Sequence, residues 1–251
     1  MIAMTRDVSP SIAHAELTHL ERVPIDYERA HAQHEQYRAL LASLGCAVIA
    51  LPADAAHPDC VFIEDTAVVL EDLAVITRPG AESRRGEIAV VADALAPYRP
   101  LVRIEAPATL DGGDVLVLGD RIYVGCSSRT NDEAMRQLRA LTGREVIRVD
   151  VHGALHLKTA VTAVSEDTLL VNREWVDLAP FAGFTFIDAI EPFGANAMRV
   201  GNVLIYPAAY TRTRAILEAR GFDVRTVDAD ELAKAEGGVT CCSLLVAPSS
   251  S

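Results

Sequence analysis

The amino-acid sequence predicts an α/β protein of five repeated units, closed into a ring by its own two ends. Three observations predict it. Two short apolar runs across a tight turn, then an amphipathic stretch and a further apolar run, recur along the 251 residues. Half of the chain is hydrophobic but only 5% is aromatic, which suits mixed helix and sheet. Finally, the apolar run Ile2–Arg6 at the N-terminus lacks a hairpin, and Ser243–Val246 at the C-terminus lacks a partner. An ordinary α/β sheet with hairpin insertions is the alternative. The ring is favoured because closure removes exposed sheet edges.

Taken in order, Tyr27, Ala30, His34, Tyr37, Leu41 and Leu44 step by three and four, predicting a helix over 26–44 and then a strand over 46–51. The first hairpin is 66–70 against 73–77, turning at Glu71-Asp72; Ile88, Val91 and Leu95 mark the next helix, and 101–105 the next strand. The second hairpin, 115–118 against 121–124, turns at Gly119-Asp120. Thr130-Asn131-Asp132-Glu133 then starts a helix that Gly143 closes, before a strand over 145–149. Hairpins 161–164/168–171 and 197–200/203–206 follow, with strands over 185–190 and 223–227.

No Gly/Ser/Pro-rich or charged linker divides the chain, so residues 1–251 are expected to form a single catalytic domain. The N-terminus has no apolar run of signal-peptide length, and no later stretch reaches membrane-spanning length without charges; a soluble cytoplasmic protein is expected. A formal charge of −12 opposes binding to nucleic acid and favours a cationic ligand. The five scattered cysteines (Cys46, Cys60, Cys126, Cys241, Cys242) read as free thiols.

The residues leading into the inner hairpin strands are polar in kind: Glu64-Asp65, Gly113-Asp114, Leu157-Lys158, Ala195-Asn196 and Thr240-Cys241. In a ring of like units these positions converge on the axis. Carboxylates, an amide, a lysine and a thiol would meet there, with Asp111 and His156 just upstream. Cys241 follows Gly237-Gly238, whose flexibility would turn the chain sharply and present the sulfur; Cys242 starts the strand and should point away. His156 is the candidate acid/base, whereas His31 and His34 belong to the first helix. His152 and His156 are spaced as metal ligands only if helical, and Gly153 between strand-like runs argues against it. Nucleotide-binding loops and a Gly-x-Ser-x-Gly elbow are absent from the sequence, so no cofactor is expected. An acidic cavity beside a thiol suits a guanidinium, which pairs with carboxylates through two parallel N–H bonds. Arg84 and Arg129, in similar loops one unit apart, are candidates to clamp a carboxylate or are simply solvated.

Six ordered motifs resemble the dimethylarginine dimethylaminohydrolases of the guanidine-modifying superfamily: Pro58-Asp-Cys-Val-Phe-Ile-Glu-Asp65, Thr77-Arg-Pro-Gly-Ala-Glu-Ser-Arg-Arg85, Leu110-Asp-Gly-Gly-Asp114, Ser128-Arg-Thr-Asn131, His156-Leu-Lys158 and Gly238-Val-Thr-Cys241. The likeness covers essentially the whole chain. It implies a five-unit α/β-propeller (pentein) fold and hydrolysis of Nω-methylated arginine to citrulline and dimethylamine through a covalent cysteine intermediate. By this resemblance Cys241 is the nucleophile, His156 the acid/base and Asp111 its acidic partner, where some relatives carry Glu. Glu64 and Asp65 would hold the guanidinium, and Phe62 is the candidate lining for the methyl groups. Arg84 and Arg129 would take the substrate carboxylate, and Asp59 with the carbonyls of Leu17 and Ala235 its α-amino group. The loop Glu16-Leu-Thr-His-Leu-Glu-Arg22 departs from relatives and is expected to form part of a lid. The implied partner is a small guanidino amino acid, without metal, nucleic acid or membrane, and with a homodimer left open. The rival enzyme is an arginine deiminase-like hydrolase. A non-catalytic binding protein and a Cys241-Cys242 redox sensor are rivals from other classes.

Overall fold

The structure, a computed structural model, describes residues 1–248. Strand β1 (Ile2–Arg6) leads through α1 (Tyr27–Ser43) to β2 (Ala47–Leu51), which lies parallel to it with Ile2 opposite Ala47. Asp26 caps α1 by accepting from the Arg29 N–H at 3.1 Å. The next unit is the hairpin β3 (Ala67–Val69) and β4 (Ala74–Ile76), helix α2 (Ile88–Leu95) and β5 (Leu101–Arg103). Then come β6 (Val115–Leu118), β7 (Arg121–Cys126), α3 (Asp132–Thr142) and β8 (Glu145–Asp150). In α3 the Asn131 side chain caps the start and Gly143, at φ 67°, ends the helix in the left-handed conformation that glycine tolerates.

A short helix α4 (Leu157–Ala160) runs into β9 (Val161–Ala163), which pairs with β10 (Thr168–Val171) and, through it, β11 (Thr185–Asp188). The last full unit holds β12 (Met198–Val200), β13 (Val203–Pro207), α5 (Thr211–Ala219) and β14 (Asp223–Val227). After α6 (Asp230–Ala233), β15 (Leu244–Val246) returns antiparallel to β1, Val246 opposite Ile2. The described residues thus form five three-stranded mixed sheets, each with an antiparallel pair on one side and a parallel pair on the other. Tight turns make the first kind of pairing, and long crossovers the second.

Two details differ from the sequence reading. The lead-ins to three inner strands coil into single turns of helix, at Ile63–Thr66, Gly112–Asp114 and Leu157–Ala160, which the strand pattern does not predict, although β6 and β9 begin at Val115 and Val161 as expected. The fourth crossover holds a 3-10 turn, Ala179–Phe181, in place of a helix; Phe181 stacks on Tyr123 with ring centroids 4.6 Å apart.

The buried clusters run between sheets rather than within them. One combines Met4 and Leu244 with Ile76 and Leu95, another Val75 with Ile122 and Leu138. A single unit therefore cannot bury its own apolar faces, and each depends on its neighbours. Among the described residues, no helix is long and apolar enough to cross a membrane.

Candidate active site

The lead-in turns are tied to one another by hydrogen bonds. The Glu64 N–H donates to the Cys241 carbonyl at 3.1 Å. Asp65 Oδ1 accepts from the Gly113 N–H at 2.9 Å, and Asp114 Oδ1 from the Leu157 N–H at 2.9 Å. Asn196 donates from Nδ2 to the Lys158 carbonyl at 2.9 Å and accepts at Oδ1 from the Thr240 N–H at 3.2 Å. Each bond joins the lead-in of one sheet to that of another, and following them returns to the start.

On one side of these turns, Cys241, His156, Asp65, Asp59, Phe62, Arg84, Arg129 and Ala235 line a common pocket with Glu16, Leu155, Glu236 and Gly237. His156 caps α4 from an extended backbone and is buried. Its Nε2 lies 3.0 Å from Asp111 Oδ2, and its Nδ1 3.9 Å from Asp65 Oδ1. Asp111 is fixed in turn by accepting from the Gly80 N–H at 2.9 Å. The imidazole therefore sits between two carboxylates, with Nε2 committed to Asp111 and Nδ1 on the Asp65 side.

These neighbours set the charges. Burial pulls the His156 pKa down, but Asp65, the bond to Asp111 and nearby Asp114 outweigh it and raise it to about 9. Burial likewise pushes Asp65 up, and His156, Arg84 and the Gly113 N–H reverse that to hold it at about 2. Burial and the charges of Glu64 and Asp65 push the Cys241 thiol up to about 12. Asp114, buried and accepting from Ser127 and Thr130, is pushed up to about 6 by that burial. The unliganded site at neutral pH is thus a neutral thiol beside an imidazolium. Asp65, Asp111 and His156 also form a grouping whose ligand atoms lie within 4.8 Å of one another. Asp65 and Asp111 already accept from Arg84, Gly113 and Gly80, which leaves a metal little open coordination.

Some expected residues are placed otherwise. Glu64 does not reach this pocket: its carboxylate pairs with Lys158 Nζ at 2.6 Å, accepts from the Thr240 hydroxyl at 2.9 Å, and lines a separate cavity with Thr162 and Ser243. Arg84 is no solvated loop residue. It is buried, donating to Asp65 at 2.6 Å, to Glu87 at 2.9 and 3.0 Å, and to the carbonyls of Asp59 and Phe62. Its guanidinium is therefore held largely by protein groups, while Arg84 still lines the pocket. Arg129 stays half-buried, with one contact to the Thr18 hydroxyl at 3.1 Å. Leu17 is half-buried and lies outside the pocket lining. Cys242 is buried in the core beside Tyr37, but it lies in the turn before β15, which begins at Leu244, and does not start the strand as expected.

The glycine pair also works differently from the expected sharp turn. Positive φ falls on Glu236 (61°), not on Gly237 or Gly238. Their requirement is space: a Cβ at Gly237 would overlap the Phe62 ring, and one at Gly238 the Asn196 amide. Sequence reasoning missed Glu236 and Glu87. For Glu87 the signal was present, since Arg84 and Glu87 stand at the i,i+3 spacing of an ion pair.

The family model described as "N,N dimethylarginine dimethylhydrolase, eukaryotic" matches residues 16–179. An N(G),N(G)-dimethylarginine dimethylaminohydrolase of Streptomyces coelicolor is 40% identical, covering 96% of this chain and 95% of its own. The enzyme of that name from Pseudomonas aeruginosa is 38% identical over 87% of this chain and 89% of its own. A structure of the Pseudomonas aeruginosa protein, a Cys-to-Ser mutant complexed with citrulline, superposes with a TM-score of 0.91 at 35% identity, covering 96% of this chain and 97% of that one.

Proposed function

The chain belongs to the dimethylarginine dimethylaminohydrolase family, and from that premise we propose that it hydrolyses asymmetric dimethylarginine to citrulline and dimethylamine. The observation that carries this reading is His156, held between Asp111 and Asp65 on the wall of the pocket that Cys241 shares. We read the five sheets as the blades of a pentein ring, its axis marked by the hydrogen-bonded lead-in turns.

The roles follow from the charges. The substrate guanidinium enters beside Asp65, and its positive charge offsets the carboxylates that keep Cys241 protonated; the thiol proton passes to solvent. The sulfur bonds to the guanidinium carbon. The His156 imidazolium gives its Nδ1 proton to the departing dimethylamine as that C–N bond breaks, leaving a thiouronium on Cys241. Neutral His156 then takes a proton from water, the hydroxyl adds to the same carbon, and the C–S bond breaks as the hydroxyl proton passes to solvent, releasing citrulline and thiolate. Asp111 keeps Nε2 occupied, so that Nδ1 remains the working nitrogen throughout. Carboxylates, not N–H donors, stabilise the cationic intermediates on this route.

Arg129 is the cation we assign to the substrate carboxylate, while Arg84 acts one step back by fixing Asp65. Asp59, with the carbonyls of Leu17 and Ala235, takes the α-amino group, and Phe62 borders the methyl groups. Glu64, in this reading, anchors the lead-in turns through Lys158 and Thr240. We also propose a cytoplasmic location, tested by cell fractionation; sedimentation decides whether the enzyme is a homodimer. The deciding experiment measures citrulline from arginine and from its monomethyl and asymmetric dimethyl forms. Turnover of the dimethyl form is expected. Turnover of arginine alone would replace this reading with a deiminase, and inactivity on all three would end both.

A further inference from the structure

Glu236 lies five residues before Cys241 and is the one non-glycine residue with left-handed backbone among the described residues (φ 61°). The two residues that follow it, Gly237 and Gly238, are glycines, yet the strained position carries a side chain. That side chain has a specific use. The Glu236 carboxylate accepts from three consecutive backbone amides, Thr18 at 2.9 Å, His19 at 2.5 Å and Leu20 at 2.7 Å. Successive N–H groups converging on one anion make a strong, geometrically exacting cradle.

The cradled segment has little else to hold it. From Ala15 to Asp26 the chain forms no helix or strand. Beside the pocket the Glu16 N–H donates to Asp59 at 3.1 Å, the Glu16 carboxylate accepts from Ser83 at 2.7 Å, and Arg129 donates to the Thr18 hydroxyl at 3.1 Å; away from it Arg22 donates to the carbonyls of Ala13 and Ala15, Lys234 donates to the Pro24 carbonyl, and the Asp26 N–H donates to Glu231. Glu236 also lines the pocket itself.

Peptide planarity converts this anchor into orientation. The Thr18 N–H and the Leu17 carbonyl belong to one trans peptide and point in opposite directions, so fixing the first fixes the second. The Ala235 carbonyl shares its peptide with the Glu236 N–H, which donates to the Ala233 carbonyl at 3.1 Å. One residue thereby sets both carbonyls assigned above to the substrate's α-amino group. We propose that Glu236 is a positioning residue that holds the 16–20 segment on the site and makes the enzyme select guanidino compounds bearing an α-amino group. This rests on the assignment of that group to Leu17 and Ala235 under Proposed function.

The test uses Glu236→Gln, which removes the charge at nearly constant size, and Glu236→Gly, which removes the carboxylate while relieving the left-handed strain and so protects folding. Amide hydrogen exchange of the unliganded protein is expected to quicken about tenfold or more at Thr18, His19 and Leu20 in both variants, with β7 amides unchanged. Dissociation constants for asymmetric dimethylarginine and its desamino analogue, measured on a Cys241→Ser background, need no turnover. Their ratio, favouring the amino compound in the parent, is expected to fall by about tenfold or more in both variants. Unchanged exchange would overturn the anchor. Faster exchange with an unchanged ratio would overturn the selectivity. A parent that binds neither compound defeats the function reading and the selectivity with it, and exchange then decides the anchor by itself.

Discussion

At the scale of residues, the site turns on one imidazole. Raising the His156 pKa from 6.5 to about 9 means that the folded chain holds this proton more tightly than the unfolded chain. The stabilisation is complete below about 6.5 and is lost as pH climbs towards 9. Asp59 and Asp114, raised to about 6, and His34, lowered to about 4, titrate below that window. His156→Asn should therefore flatten the decline of the urea midpoint between pH 6.5 and 9; an unchanged slope would remove the carboxylates' hold on the ring. The free-enzyme kcat/KM should fall above about pH 9, where the general acid is spent. Cys241→Ser should keep the fold and lose at least a thousandfold in citrulline formation, since a hydroxyl cannot replace the thiolate. Retained turnover in that variant would sink the nucleophile. That Cys241 and His156 share one pocket was legible because few residue types can serve as nucleophile or acid/base and both precede inner strands. The split between Glu64 and Asp65 was not, because adjacent acids look alike until a 3-10 turn sends one to Lys158 and the other to His156. The burial of Arg84 was not legible for a related reason: it depends on Glu87 and two carbonyls that come together only in the fold.

At the scale of elements, alternation and turn chemistry predicted the hairpins well, since each half-buried strand shows its period directly. The lead-in turns escaped notice. They are three or four residues long, too short for any 3.6-residue period, and are held by bonds to other sheets. The turn at Gly112–Asp114 shows how tightly they meet. A Cβ on Gly113 would stand 2.7 Å from His156 Nδ1 and 2.8 Å from Asp65 Oδ1, closer than side-chain atoms approach. Gly113→Ala should therefore displace the imidazole from its two carboxylates and lower kcat by about 100-fold, the scale of loss expected when a reacting group moves by about 1 Å. The same variant should shift the His156 pKa, read from its ring-proton NMR signals. An unaltered pKa with full activity would show that the turn has slack that these distances deny it.

At the scale of the whole molecule, the chain ends are structural parts. Strand β1 lies between β15 and β2, so the N-terminal residues join the last strand to the first helical crossover. Arg99 strengthens this seam, donating to the carbonyls of Leu70 and Ala247. Because Ile2 stands opposite Val246, the first and last described strands lie side by side, and the ring proposed above has no preferred place to begin. A short Gly/Ser linker from Ala247 to Met1, with new ends cut between Glu166 and Asp167 in the β9–β10 turn, should leave the closing sheet intact. The cut falls at exposed residues of a tight hairpin, outside the lining of the pocket that Cys241 and His156 share. This permutant is expected to melt within a few degrees of the parent and to keep its citrulline activity, whereas deleting β1 should abolish cooperative unfolding, because it removes the middle strand from between β15 and β2. A permutant that fails to fold would mean that closure depends on the order of synthesis and not on the paired ends. Survival of the β1 deletion would mean that four sheets suffice, and the dependence of each unit on its neighbours would have to be given up.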